Sequence, residues 1–450
     1  MIVEVGVSEA IPAESSHDAP SATISVPLIE RTWFVVTTYL AIAVAVLIVT
    51  LFTVNKRQPE EFLAKPNSVR SHVVLSHWLN EGYFHYVGMI NRTPDATSIY
   101  RSSTGGYMVS GFIVEKLYSM MFGHYSYRLL ALHNQIISAI LSALAGLLAY
   151  RLARRFDLET RLALIIGAAI VAVIFTFPDN LDLYWEMSPQ AYALLFALVF
   201  LLIEERSIDL PSRPRSLLIA QAIAIFLMAV MESIVTMGFA ASIAAILVIL
   251  RREQAWKRFV LVVALPCVVA FALYQLQLKV AMTRFPGAAT TGSNMLWRTG
   301  FDGESTYYGD HLDIAKRRDW ARGNWPPANR KQLFRWPWVF ILGTISTFGV
   351  LIAFIFNRAP RISLEALIAL IGSWLLYAAI FSQAFVIHPY LYDVLLFTPL
   401  AIALFAIGPS LLESLTRRTG AIVLVVLFSA VWYSFFQMRL YALRWPLPTP

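Results

Sequence analysis

Long apolar runs, separated by short charged segments, dominate this sequence. A run of about 18 or more apolar residues is long enough to cross a bilayer as a helix. Lipid offers no partner to backbone polar groups, and these runs are far too long for barrel strands, so they are predicted to be α-helices. We expect an all-α polytopic membrane protein with about eleven transmembrane helices. The predicted spans are 33–54, 129–150, 162–177, 189–203, two within 216–250, 259–282, 336–356, 362–386, 390–412 and 420–436.

The run 216–250 is too long for one crossing, and Glu232 stands near its middle. A carboxylate is costly at the centre of a bilayer but acceptable at its surface. The position of Glu232 therefore predicts two spans joined by a tight hairpin.

Composition supports a membrane protein and narrows its partners. The chain has 450 residues, of which 58% are hydrophobic and 14% are charged, whereas a soluble domain has about 25% charged residues. The net charge of +8 comes from Arg and Lys at the ends of the spans, where cytoplasmic loops normally carry them. We therefore expect membrane lipids and no nucleic acid as partners. Cys267 is the single cysteine, which excludes an intrachain disulfide and a cysteine zinc site.

Charge also predicts the orientation. With the N-terminus in the cytoplasm, five short loops with at least two Arg or Lys each fall inside, and the outer short loops have none. The inner loops are 151–161, 205–216, 251–258, 357–361 and 414–418. The predicted organisation is a disordered cytoplasmic tail 1–31, a transmembrane domain 32–436 with long extracytoplasmic loops 55–126 and 283–335, and an extracytoplasmic tail 437–450.

The first long loop has two stretches with helical patterning. His72, Leu75, Leu79 and Phe84 fit one face of a helix lying along the membrane, and 107–122 continues the pattern with Glu115 and Lys116. A Gly-rich turn separates the stretches, which are predicted to be interfacial helices.

The order of these pieces resembles a known superfamily. A span is followed by an amphipathic stretch ending WLNEGYF, a Tyr/Ser/Gly segment, a helix ending LYSMMFG and a span ending YRLARRF. FLMAVMESIVTMGF and HPYLYDVLLFTPLAIAL fit later parts of the same layout. Residues 33–410 resemble the GT-C superfamily of polyprenyl-phosphate-sugar glycosyltransferases, which includes protein O-mannosyltransferases and aminoarabinose transferases. The resemblance implies transfer of a sugar from a polyprenyl-phosphate donor to an extracytoplasmic glycan, lipid or protein acceptor.

The superfamily places a catalytic Asp in the first outer loop, and this sequence departs from that pattern. The stretch KPNSVRSH has no carboxylate, and the nearest acids are Glu60 and Glu61. These two residues are the first candidates for the catalytic base, with Asp179 and Asp182 as reserves. The competing interpretation is that Glu60 and Glu61 are solvated loop charges. Leu391 also occupies the place of the superfamily's late-span Arg.

The donor phosphate is expected to bind to basic side chains at the outer face. The candidates are His388, Arg284, Arg298 and Arg335. Arg284 and Arg335 flank the spans on either side of the second long loop and are expected near headgroup depth. Arg binds phosphate through paired, charge-assisted hydrogen bonds. The alternative is that both merely reach ordinary lipid headgroups.

Missing motifs restrict the remaining possibilities. No Walker A, Asp-x-Asp, HExxH or Gly-x-Ser-x-Gly motif occurs, so nothing indicates ATP-driven transport, a nucleotide-sugar domain or a hydrolase. The spacing of His72, His77 and His85 matches no standard ligand pattern, and neither a metal nor a cofactor is expected. The favoured enzyme is a GT-C type glycosyltransferase of the bacterial inner (plasma) membrane. A glycan polymerase or ligase, a non-enzymatic transporter and an inactive scaffold remain alternatives.

Overall fold

The computed structural model describes most of the apolar part of the chain. The described residues are 32–54, 74–83, 90–91, 99–100, 106–176, 189–208, 210, 213–249, 253–284, 337–356, 360–380, 390–408, 426, 429 and 431–433.

Helices dominate these residues. They are α1 (Thr32–Val54), α2 (Gly106–Phe122), α3 (Tyr127–Arg155), α4 (Thr160–Thr176), α5 (Pro189–Ser207), α6 (Arg215–Met231), α7 (Ser233–Ile249), α8 (Glu253–Phe259), α9 (Leu265–Arg284), α10 (Pro337–Ile355), α11 (Arg361–Ile380) and α12 (Tyr390–Ile402). Three π-helical turns add to them: Trp78–Gly82, Val260–Ala264 between α8 and α9, and Ala403–Ile407 after α12.

The described residues agree with the predicted all-α membrane protein, apart from one small β-hairpin. Strands β1 (Ile90–Asn91) and β2 (Ile99–Tyr100) pair antiparallel, with Ile90 opposite Tyr100. Branched and aromatic residues on both sides of a Pro/Asp-containing segment are typical of such a hairpin. The four residues of β1 and β2 are the only strand residues in the described part of the chain, and they were not predicted from the sequence.

The chain is an integral membrane protein. Among the described residues, four helices are long and apolar enough to cross a membrane: Trp33–Phe52, Arg128–Arg155, Ala255–Thr283 and Arg361–Ala378. Five shorter apolar helices fall within other predicted spans: Thr160–Thr176, Arg215–Met231, Ser233–Ile249, Ile341–Ile355 and Leu395–Ile407. Most of the predicted span 420–436 lies outside the described residues, so the total of about eleven stays a prediction.

The predicted division of the run 216–250 is confirmed. Helix α6 ends at Met231 and α7 begins at Ser233, with the extended backbone of Glu232 between them (φ −149°, ψ 99°). The two helices then pack mainly on different neighbours, α6 on α5 and α9, and α7 on α11.

Glycines allow close helix contacts in the core. A Cβ atom at Gly167 of α4 would lie 2.8 Å from the carbonyl oxygen of Gly146 in α3, and one at Gly238 of α7 would lie 2.8 Å from that of Gly372 in α11. Because lipid is as apolar as the side chains, helices in membranes associate through such close packing. Larger residues at these positions would separate the helix pairs.

Ion pairs hold several helix termini together at one end of the bundle. The Arg155 side chain reaches Glu205, which links the C-terminal ends of α3 and α5. Glu204 pairs with Arg213 and Arg258, which adds the segments before α6 and within α8. We call this end, formed by residues 151–161, 204–215, 253–258 and 361–365, the basic end. Four of the loops predicted to be cytoplasmic contribute to it, although the side of the membrane that it faces stays a prediction.

Candidate functional site

Residues 74–83 and 106–126 form a layer at the other end of the bundle, which we call the outer platform. Helix α3 begins beside it at Tyr127 and ends in the basic end at Arg155. Because its 29 residues extend for about 43 Å at 1.5 Å per residue, the two regions lie on opposite sides of a bilayer-sized core.

An aromatic cluster fixes the outer platform to the spans. Trp78 is only 1% exposed, and its ring lies 4.9 Å from the ring of Tyr83 and 5.9 Å from that of Phe112, both in edge-on geometry. Leu130 of α3 and Tyr192 of α5 belong to the same buried cluster. The first loop is therefore packed on the bundle along these residues.

The predicted interfacial helices are present in part. Helix α2 matches the predicted stretch 107–122 closely, and Leu75 and Leu79 are buried as the helical pattern required. His72 and Phe84 of that pattern lie outside the described residues. The C-terminal part of α2 exposes large apolar side chains, for example Met120, which is 73% exposed. An apolar surface of this kind fits a helix that lies at the lipid boundary.

Glu115 is the most deeply buried carboxyl group of the platform. Its side chain is 3% exposed, and one oxygen, Oε2, accepts a hydrogen bond from the backbone N–H of Ser126 at 2.9 Å. The other oxygen, Oε1, has no partner among the described residues. Burial raises the pKa of Glu115, and the backbone N–H groups of Ser126 and Leu130 offset part of that increase. The group therefore holds its proton to a higher pH than an exposed glutamate does.

Polar residues continue from the platform into the spans. Asn134, Gln135, Ser138 and Ser142 are all buried on α3, and their spacing places them along one side of the helix. Asn134 Nδ2 and Gln135 Oε1 have no hydrogen-bond partner in the described part of the chain. Buried polar groups are normally paired, so these two atoms are available to a water or a ligand.

Two hydrogen bonds connect other helices near the same end. Gln190 Nε2 of α5 donates to Tyr377 Oη of α11 at 2.7 Å, and the hydroxyl groups of Ser110 and Tyr192 lie 3.1 Å apart. The first bond joins α5 to α11, and the second joins helix α2 of the platform to α5.

His77 and Glu81 interact at the platform surface. His77 Nδ1 lies 2.6 Å from Glu81 Oε1 one helical turn away. Glu81 is 43% exposed, as expected for a helix-end surface charge. No group of three or more His, Cys, Asp or Glu side chains suited to a metal occurs among the described residues.

The predicted site residues are mostly outside the described part of the chain. Only Arg284 falls within it, as the last residue of α9, and its side chain is not described. Their proposed roles stay predictions. The residues concerned are Glu60, Glu61, Asp179, Asp182, His388, Arg298 and Arg335.

Three polar residues of the candidate site stand out in the sequence, although no role was assigned to them from the sequence: Glu115, Asn134 and Gln135. Glu115 is the one acidic residue of the 17-residue α2, in which most other residues are apolar and Lys116 follows directly. Asn134 and Gln135 form a polar pair inside the apolar run 129–150. Polar residues within spans often mark functional sites in membrane proteins. On that principle, these three residues could have been predicted as candidates from the sequence.

No protein-family model matches the chain, and no curated protein matches it. Among solved structures, it is similar to the crystal structure of the Archaeoglobus fulgidus oligosaccharyltransferase tethered with an acceptor peptide containing the NVT sequon via a disulfide bond. The TM-score is 0.48 and the identity 12%, over 93% of this chain and 57% of that chain. The chain thus spans little more than half the length of that protein, and similarity at this level does not assign a function.

Proposed function

We propose that this protein is a GT-C type membrane glycosyltransferase. It transfers a sugar from a polyprenyl-phosphate donor to an extracytoplasmic glycan, lipid or protein, in the inner (plasma) membrane of a bacterium. The layout of residues 33–410 supports this function. The observation that carries it is the set of buried, unpaired polar atoms at the outer end of the bundle.

Those atoms suit a sugar. Glu115 Oε1, Asn134 Nδ2 and Gln135 Oε1 have no partner among the described residues. Leaving a buried polar atom unpaired costs about 1–3 kcal/mol, which a bound hydroxyl group offsets. Sugar hydroxyls both donate and accept hydrogen bonds, so they match a set that contains an amide donor and carbonyl or carboxyl acceptors.

The apolar surface of α2 suits the donor's lipid. Four large apolar side chains near the C-terminal end of α2 are exposed: Leu117, Met120, Met121 and Phe122. A polyprenyl chain stays in the bilayer, so an enzyme using it needs an opening at the level of the interface. Helix α2 has the buried Glu115 and this lipid-facing end within two turns of each other.

The reaction needs a base and a phosphate site. The acceptor oxygen forms a bond to the sugar carbon, the bond from that carbon to the phosphate oxygen breaks, and the acceptor proton passes to a carboxylate. We assign the proton to Glu60 or Glu61, with Asp179 and Asp182 as reserves. The departing polyprenyl phosphate is bound by basic groups through charge-assisted hydrogen bonds. These groups are His388, Arg284, Arg298 and Arg335.

A complementation experiment tests the assignment of the base. Bacteria that lack this protein receive the wild type, Glu60→Gln with Glu61→Gln, or the control Glu159→Gln, and transfer is followed as loss of a radiolabelled polyprenyl-phosphate sugar from the membranes. Glu159 is an acid at the basic end and should leave transfer unchanged. The double variant should lose at least a hundredfold in rate, because base catalysis contributes about 10²–10⁴-fold. Full activity in a normally abundant double variant would remove both residues from the mechanism.

The same assay distinguishes the proposed transferase from the main alternative, a transporter. The polar side of α3 also suits the pathway of a transporter, because such pathways place polar side chains within spans. A transporter would move the lipid-linked sugar and leave its bond to phosphate intact. Movement without bond cleavage in the wild type would replace the transferase proposal with transport.

A further inference from the structure

A cavity at the basic end lies far from the outer platform. It has a volume of about 60 Å³ and lies between α5, α7, α8 and α11. One water needs about 10–15 Å³ of such volume, so a group of several heavy atoms fits. Its charged lining residues are Glu204, Arg258, Arg361 and Glu365, and the remaining lining residues are apolar. None of the residues proposed for sugar transfer lines this cavity.

The charges around this cavity are not balanced. Glu204 accepts from Arg213, from Gln221 and from Arg258, and Arg361 pairs with Glu365. Two arginines and two glutamates line the cavity. Arg213, which does not line it but pairs with Glu204, gives this cluster of ion pairs one positive charge in excess.

The arginines also retain donors. Within the described residues, Arg258 donates to side chains through Nη2, and Arg361 donates to Glu365 through Nε. A guanidinium group has five N–H donors in a planar fork that matches a phosphate group. Both side chains thus offer further N–H groups at the cavity, within a cluster of ion pairs that carries excess positive charge.

The other walls of the cavity are apolar. Phe200, Ile243, Leu247 and Phe259 line it, and the neighbouring Ile249 and Val260 are exposed on the bundle surface. Apolar walls do not contribute to the binding of a free anion. They suit a phospholipid, whose headgroup would lie beside the arginines and whose acyl chains would lie along these side chains.

We propose that this cavity binds the headgroup of an anionic glycerophospholipid from the leaflet that faces the basic end. Arg258 and Arg361 bind the phosphate, and the apolar wall formed by α7 and the π-helical turn Val260–Ala264 contacts the acyl chains. This site is separate from the proposed sugar site and does not depend on the transferase activity.

Native mass spectrometry of the detergent-purified full chain tests the proposal. The probes are phosphatidylglycerol, phosphatidylcholine and glycerol phosphate, the last of which supplies the phosphate ester without acyl chains. Phosphatidylglycerol should bind at least tenfold more tightly than phosphatidylcholine, and glycerol phosphate should bind weakly. Tight binding of glycerol phosphate would overturn the lipid assignment in favour of a soluble phosphate ester.

Matched variants locate the binding. The double variant Arg361→Gln with Glu365→Gln removes the guanidinium without changing the net charge, and it should weaken phosphatidylglycerol binding about tenfold, or 1.4 kcal/mol. Arg206→Gln removes an exposed cation of the same end that does not line the cavity, and it should bind as the wild type does. Ala255→Leu narrows the cavity without touching a charge and gives an independent reading if the double variant is poorly folded. Wild-type binding in Ala255→Leu, or equal losses in Arg206→Gln and the double variant, would overturn the proposal.

Discussion

The basic end and the outer platform differ in how their buried carboxyl groups are paired. At the basic end, Glu204 receives hydrogen bonds from Arg213, Gln221 and Arg258, and Glu205 receives one from Arg155. At the outer platform, Glu115 Oε1 and nearby amide atoms have no partner among the described residues. Mutually satisfied charges hold helix ends together, whereas unpaired polar atoms are free to meet a ligand. The difference indicates that the buried carboxylates of the basic end hold helix ends together, whereas the outer platform keeps polar atoms available for a ligand.

The largest expected effect concerns the side of the membrane that each end faces. Reporter domains fused after Leu250, at the basic end, and after Met282, beyond the next span, should give opposite all-or-none signals, inside and outside respectively. Signals from the same side for both reporters would contradict the prediction that the two ends face opposite sides of the membrane.

A pair of identical substitutions compares the two ends directly. Glu204→Gln leaves Arg213 and Arg258 without their carboxylate and should lower the free energy of unfolding by about 3 kcal/mol. Glu115→Gln keeps an oxygen for the Ser126 N–H and should cost only about 1 kcal/mol. Thermal unfolding of the purified proteins in one detergent measures both.

The pair also has a clear opposing outcome. Equal losses of stability in Glu204→Gln and Glu115→Gln would show that Glu115 is as structural as Glu204. Arg206→Gln, at an exposed position of the basic end, serves as the control and should change stability little.

The hydrogen bond between α5 and α11 should have a moderate effect. Tyr377→Phe removes the acceptor of Gln190 Nε2 and should lower the free energy of unfolding by about 1–2 kcal/mol. Tyr118→Phe is the matched control, because its hydroxyl makes only a 3.5 Å contact with His124 at the surface. A larger loss in the control than in Tyr377→Phe would contradict a fixed arrangement of α5 and α11.

The smallest expected effect is a dependence of stability on pH. The pKa of Glu115 is raised above its ordinary value of 4.5 by burial, so the folded protein binds more protons than the unfolded chain between the two values. The stabilising contribution of the protonated group is complete below 4.5 and is lost as pH rises through the raised pKa. Melting temperatures across this range should therefore fall more steeply for the wild type than for Glu115→Gln. Parallel curves would remove the perturbed carboxyl from the platform.

The candidate site was predictable only in part. Leu75, Leu79 and the stretch 107–122 followed from helical periodicity, because an interfacial helix must turn one apolar face toward the bundle. Glu115 lies on the same stretch, yet its neighbours along the chain do not reveal whether its carboxyl group is solvated or buried. That depends on Ser126 and Leu130, which a turn and the start of the next helix bring back toward it.

The sequence by itself determined where the helices are and where α6 gives way to α7. Lipid requires each span to satisfy its own backbone, so a long apolar run has to be a helix, and a carboxylate in its middle marks the place where it breaks. Only the tertiary structure decided which polar groups are paired. Arg258 lies 54 positions from Glu204, and Tyr377 lies 187 positions from Gln190. Such contacts arise from how the helices pack, and helix packing depends on the shape of whole surfaces that no local pattern records.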